Sequence, residues 1–74
     1  MNAPTMDVNM AAVALTAATM AILGTPTTPP GPAMVVVSAE DGSAAGQQMD
    51  WGTAERIAKH ARKMQSVTRA LVAF

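Results

Sequence analysis

Few side chains in this sequence could take part in acid–base or metal chemistry, and their spacing does not group them. His60 is the single histidine, and the chain has no cysteine. An imidazole that acts as a general base needs a nucleophile or an orienting carboxylate beside it, yet the nearest acid, Glu55, is five residues back on another face of a helix. The seven methionines are scattered, which favours gap filling in a core over binding of a soft metal. We therefore predict a non-enzymatic protein without a metal site or cofactor.

The basic side chains form the clearest charge pattern. All five lie beyond position 55, on one side of a predicted helix. Such a face could bind phosphate groups, because neutralised phosphates release counterions. The net charge is zero, however, and no aromatic residue is interleaved with the basic ones, so we rank nucleic-acid binding below exposure to water or to acids of a neighbouring subunit. The candidate polyanion contacts are Arg56, Lys59, Arg62, Lys63 and Arg69.

The apolar segment near the N-terminus predicts the first helix, over about residues 6–23. It is rich in alanine and other strong helix formers. Thr5 or Asp7 can cap its start, and Gly24 with Pro26 can end it.

The rest of the chain predicts a loop and a second helix. Residues 24–49 are rich in proline and glycine, with one β-prone run, AMVVVSA, that predicts a short extended segment at 34–38. The following EDGSAAGQQ is typical of turns and linkers. A basic amphipathic helix is predicted within 50–74, with Asp50 as its N-cap and helical turns over about 51–73. The whole chain is thus predicted to be one mainly α subunit with a core completed by other chains.

Four alanines of the first helix are spaced three, four and three residues apart, as in a heptad seam. A seam of small residues lets two helix backbones approach closely. Because this helix is apolar on nearly all sides, a single partner helix from the same short chain would not bury it. The sequence therefore predicts an interface formed by Ala11, Ala14, Ala18 and Ala21.

The last residues of the chain are apolar around most of a helical circumference. An exposed patch of this kind favours association, so we predict that this end docks into a neighbouring subunit, with Phe74 as the anchor and its carboxylate near a cation such as Arg69. Trp51 is expected to cap the core or anchor an interface. The predicted interface residues at this end are Met64, Leu71, Val72 and Phe74.

Composition favours assembly over the alternative functions. A chain of 74 residues without disulfides is marginally stable alone. The apolar stretch 8–23 is shorter than the roughly 20 residues that a transmembrane helix needs, and Asp7 replaces the basic start of a signal peptide. We therefore predict neither a transmembrane helix nor a signal peptide, and the sequence indicates no localisation.

We predict a structural subunit of a larger assembly: a filament, a virion or tail component, or an accessory subunit of a large complex. Helix–helix packing would join it to copies of itself or to other proteins. The alternatives are a small membrane-associated accessory subunit that uses residues 8–23, and a nucleic-acid-binding peptide that uses the basic helix.

Overall fold

The computed structural model describes residues 9–25 and 31–74, and it has an α/β fold. The prediction of a mainly α subunit is therefore wrong. The strands form an antiparallel sheet in the order β2-β1-β3. The elements in chain order are α1 (Met10–Leu23), β1 (Ala33–Ala39), β2 (Ala44–Met49), α2 (Trp51–Ala61) and β3 (Val67–Ala73). The predicted caps Thr5 and Asp7, residue 6 and the centre of the proline-rich loop lie outside the described residues. The predicted start of the first helix is nevertheless wrong, because α1 begins at Met10, after an extended Asn9.

Local chemistry sets both ends of α1. The Asn9 side chain accepts a hydrogen bond from the Ala12 N–H at 3.1 Å, which satisfies a donor in the first turn. At the other end Gly24 adopts φ 78°, and its N–H donates to the Met20 carbonyl. Glycine adopts this left-handed conformation without steric cost, so the predicted stop at Gly24 is confirmed.

The segment predicted to be a linker forms the turn and the second strand of a β-hairpin with β1. β1 covers the predicted extended segment, which is thereby confirmed. The chain then turns through Gly42, which has φ 86°, and β2 pairs with β1 from Ala44 to Met49. Main-chain pairing with β1 overrides the weak strand propensity of the sequence AAGQQM.

The predicted helix over 51–73 is also wrong in its second half. α2 starts after the N-cap Asp50, as predicted, but it ends at Ala61. Residues 67–73 form β3, which pairs with the second edge of β1 and places Leu71 opposite Val36. In its extended conformation the C-terminal segment supplies hydrogen-bond partners for the main-chain groups on that edge of β1.

The hydrophobic core lies between one face of the sheet and the two helices. Val35 and Val37 of β1 point into it and are fully buried. Ile57 and Ala58 of α2 pack on the same side, as does Met49 at the end of β2. The core that was expected from neighbouring chains is thus built by the sheet of this chain.

Candidate interaction surfaces

The predicted alanine seam lies mostly inside the chain. Ala11, Ala14 and Ala18 are buried, because α1 turns this face toward α2 and the sheet. Ala21 is exposed. The close packing that the spacing predicts therefore occurs here between elements of one chain.

The opposite side of α1 carries an uncharged stripe in solvent. The side chains of Val13 and Met20 are 57% and 48% exposed. Ala12, Thr16 and Ala17 lie with them around a shallow depression of about 420 Å³. The exposed side of a surface helix usually carries charged or polar residues, whereas α1 has no charged residue over its whole length.

The predicted basic face is divided among different surfaces. Arg62 turns toward β3, where its Nε donates a hydrogen bond to the Ala70 carbonyl at 3.0 Å. Arg69 lies on β3 opposite Ser38, on the face of the sheet away from the helices. The other cations line one depression on α2 beside His60: Arg56, Lys59 and Lys63.

His60 lies among basic side chains. Of the residues that the structure describes, its depression is otherwise lined by three cations and Ile22, and none of these carries a carboxylate. Across residues 9–25 and 31–74, the His, Cys, Asp and Glu side chains form no group of three or more that could hold a metal ion. None of the helices in that part of the chain has the length and apolarity to cross a membrane.

A polar network joins the β1–β2 turn to the start of α1. Asp41 accepts hydrogen bonds from the Ser43 hydroxyl and from the Ser43 and Met10 N–H groups. These bonds, the one from the Ser43 hydroxyl foremost, lower the pKa of Asp41 below its ordinary value. The Ser43 hydroxyl oxygen also accepts from the Ala11 N–H at 2.9 Å. Side chains of this chain thus occupy the amide donors at the start of α1.

The residues predicted to anchor the C-terminal end occupy both faces of the sheet. Val72 points toward the helices and is half-buried, whereas Leu71 points away and is 49% exposed. The Phe74 ring stacks on Trp51 of the same chain. Met64 is half-buried against the core.

No other element of the described residues covers the sheet face away from the helices, and this face is largely apolar. Alternate residues of a strand point to opposite faces, and the residues of β1 that face the helices are the buried ones. Met34 lies across this face, because a Cβ added to Gly46 would come within 3.0 Å of the Met34 sulfur. We call this surface the open face; it consists of Met34, Val36, Ser38, Ala44, Gly46, Gln48, Arg69, Leu71 and Ala73.

A groove of about 400 Å³ runs between α2 and the outer edge of β3. One wall is a stripe of α2 that carries both signs of charge. The other wall is the edge strand itself. We call it the β3 groove; its lining residues are Trp51, Glu55, Lys59, Arg62, Leu71 and Val72.

Sequence reasoning missed both of these surfaces, because each depends on β3 being a strand. The available signal was the β-branched Val67, Thr68 and Val72. Comparison of the chain with protein-family models, with curated proteins and with solved structures found no match.

Proposed function

We propose that this protein is a non-enzymatic structural subunit that associates with further copies of itself through the open face. The observation that carries this proposal is the composition of that face. Val36, Leu71 and Met34 occupy its middle, and Arg69 is its single charged residue. An antiparallel sheet that faces water on one side usually alternates apolar residues inside with polar residues outside. Here the residues on both sides of the sheet are mainly apolar.

A second copy is the occupant that suits this face best. Two open faces can pack about 10 Å apart as in a β-sandwich, with the helices of each copy on the outside. An isologous contact of this kind places the same surface on both sides, and an almost uncharged surface demands no partner of opposite charge. Arg69 lies opposite Ser38, beside the last residue of β1, so its charge can remain in water at the rim.

The exposed side chains of the open face favour the same conclusion. Burying an exposed leucine or valine stabilises by about 1.5–3 kcal/mol, and Leu71 is half-exposed in the single chain. Covering the open face would recover part of that free energy.

Light scattering during size-exclusion chromatography tests the proposal with a matched pair of variants. Val36→Glu puts a charge in the middle of the open face and should weaken association at least tenfold, because the carboxylate would be buried without a partner. Val13→Glu puts the same charge on the exposed stripe of α1 and should leave association unchanged. Circular dichroism must show that both variants are folded.

Other results would contradict the assignment. If Val13→Glu dissociates the protein and Val36→Glu does not, association uses α1. A wild-type chain that stays monomeric over the whole accessible concentration range would rule out self-association. Apolar association should persist at high salt. Micromolar nucleic-acid binding that falls steeply with salt, and that Lys59→Gln with Lys63→Gln removes, would favour the nucleic-acid alternative.

A further inference from the structure

We propose that the β3 groove is a second self-association site, separate from the open face. In this proposal the β3 strands of two copies pair antiparallel about a twofold axis at Val72. The two α2 helices then lie antiparallel beside each other over the joined sheet. This contact does not depend on association through the open face.

The outer edge of β3 has main-chain groups available for pairing. Because Arg62 binds the Ala70 carbonyl, that carbonyl points away from β1. In an antiparallel pair, successive residues alternate between hydrogen-bonded and non-hydrogen-bonded positions. Val72 is two residues from Ala70 in the same unbroken register with β1, so its N–H and C=O also point outward. A twofold axis at Val72 therefore places Val72 of one copy opposite Val72 of the other. The main-chain N–H and C=O groups of each then face the other copy.

The spacing of the elements suits such a pair. α2 lies over both β1 and β3, so its axis is about one strand spacing from the twofold axis. Neighbouring strands are about 4.8 Å apart, and the two α2 axes would then be about 9–10 Å apart. Packed helices have interaxial distances of about 8–10 Å. Pairing of the β3 edges thus brings the helices into contact without moving either one within its own chain.

The charges on the facing helix stripes complement each other. Glu55 and Lys59 both line the β3 groove, one helical turn apart. In an antiparallel helix pair centred between them, Glu55 of each copy faces Lys59 of the other. The two copies thus form two equivalent ion pairs between Glu55 of one copy and Lys59 of the other.

The ends of the stripe match as well. Trp51 and Arg62 lie at opposite ends of the groove lining, so each faces the other across the twofold axis. Arg62 would leave the Ala70 carbonyl and lie against the Trp51 ring of the second copy as a cation–π contact. The Phe74 N–H of the second copy would then take the place of Arg62 as the hydrogen-bond donor to the Ala70 carbonyl. In the single chain Arg62 covers an edge acceptor, a role that charged side chains commonly have on edge strands.

Together with the proposed function, this site has a consequence for the kind of assembly. A chain with two different isologous interfaces can bind one copy at each of them. Alternating contacts then extend into a filament, or close into a ring if the rotations allow it. This consequence depends on the proposed function, whereas the β3 contact itself does not.

A charge-reversal cycle tests the β3 contact in the Val36→Glu background, where association through the open face is blocked. Glu55→Lys alone and Lys59→Glu alone each place like charges across the twofold axis, and each should weaken dimerisation at least tenfold by light scattering. The double variant restores opposite charges and should restore the dimer. A background chain that is monomeric, or single reversals that leave its dimer unchanged, would overturn the proposal.

A crosslink gives a second readout, since the chain has no cysteine of its own. Val72→Cys lies on the proposed twofold axis and should form a disulfide between two copies under mild oxidation. Ala17→Cys, on the exposed side of α1 and outside both proposed interfaces, is the control and should stay reduced at the same protein concentration. Equal crosslinking of the two variants would contradict the contact. If wild-type association is insensitive to Val36→Glu while the crosslink and the charge cycle succeed, the open face is wrong and the β3 contact stands.

Discussion

The Trp51 ring stacks on the Phe74 ring with a centroid distance of 4.7 Å and an interplanar angle of 19°. This contact joins the first residue of α2 to the residue after β3. It holds the end of the edge strand against the first turn of α2. The stack also gives Phe74 a contact within its own chain, although its side chain is 87% exposed.

Removal of the stack should change both stability and fluorescence. Phe74→Ala should lower the free energy of unfolding by about 0.5–1.5 kcal/mol, as for other aromatic pairs. Because Trp51 is the only tryptophan, its emission should shift to the red as its ring becomes more exposed. Urea titration followed by fluorescence measures both effects. An unchanged emission maximum would mean that the rings do not stack in solution.

Gly31 and Gly52 form a second matched pair for mutation. A Cβ at Gly31 would lie 2.3 Å from the Met49 carbonyl carbon and 2.4 Å from the Asp50 nitrogen. Since this backbone joins β2 to α2, Gly31→Ala should destabilise by about 3 kcal/mol, the upper end of the range for overpacking. At Gly52 the nearest atom, an Asp50 carboxylate oxygen, is 3.5 Å away.

The control substitution Gly52→Ala should have the opposite sign. It lies in α2, where alanine is favoured over glycine by about 0.5–1 kcal/mol. Thermal unfolding of the two variants should therefore move the Tm in opposite directions. Similar Tm values for both would contradict the close approach of Gly31 to the backbone before α2.

Leucine substitutions on α1 test which side of this helix is buried. Ala18 is fully buried, so Ala18→Leu should destabilise by about 1–3 kcal/mol through overpacking. Ala17 is exposed, and Ala17→Leu should change the free energy of unfolding by less than about 0.5 kcal/mol. Chemical denaturation compares them, and equal costs would show that α1 is rotated from the orientation described.

The pH dependence of stability should reflect Asp41 and Asp50. Hydrogen bonds lower the pKa of both carboxyls, with the Ser43 hydroxyl as the main donor to Asp41 and the Thr53 hydroxyl to Asp50. A lowered folded-state pKa adds stability above the unfolded-state pKa, and this contribution is lost as the pH falls through the folded-state value. The Tm should therefore fall on acidification below the ordinary carboxyl range.

Asp41→Asn provides the comparison for that titration. The amide does not ionise, so this variant should begin less stable near neutral pH and lose less stability on acidification. Thermal melts across a pH series measure the two slopes. Parallel curves for the wild type and the variant would show that Asp41 makes no pH-dependent contribution.

Local chemistry determined several features that the sequence alone predicts. The end of α1 at Gly24 follows from the conformational freedom of glycine. The Asp50 side chain caps α2 by accepting from the Thr53 N–H, and AMVVVSA forms β1 because β-branched residues favour strands. Each of these features depends on residues close in sequence, so one short segment suffices to predict it.

Only the tertiary structure decided the fold class and, with it, the candidate surfaces. Residues 67–73 fit a helical pattern that continues from Ile57 and Met64, and β2 has weak strand propensity. Both segments nevertheless extend, because the two edges of β1 offer main-chain hydrogen bonds and a buried face for Ala70 and Met49. Those contacts link residues 6 to 39 positions apart and have no counterpart in local periodicity. The open face and the β3 groove exist only because of that pairing.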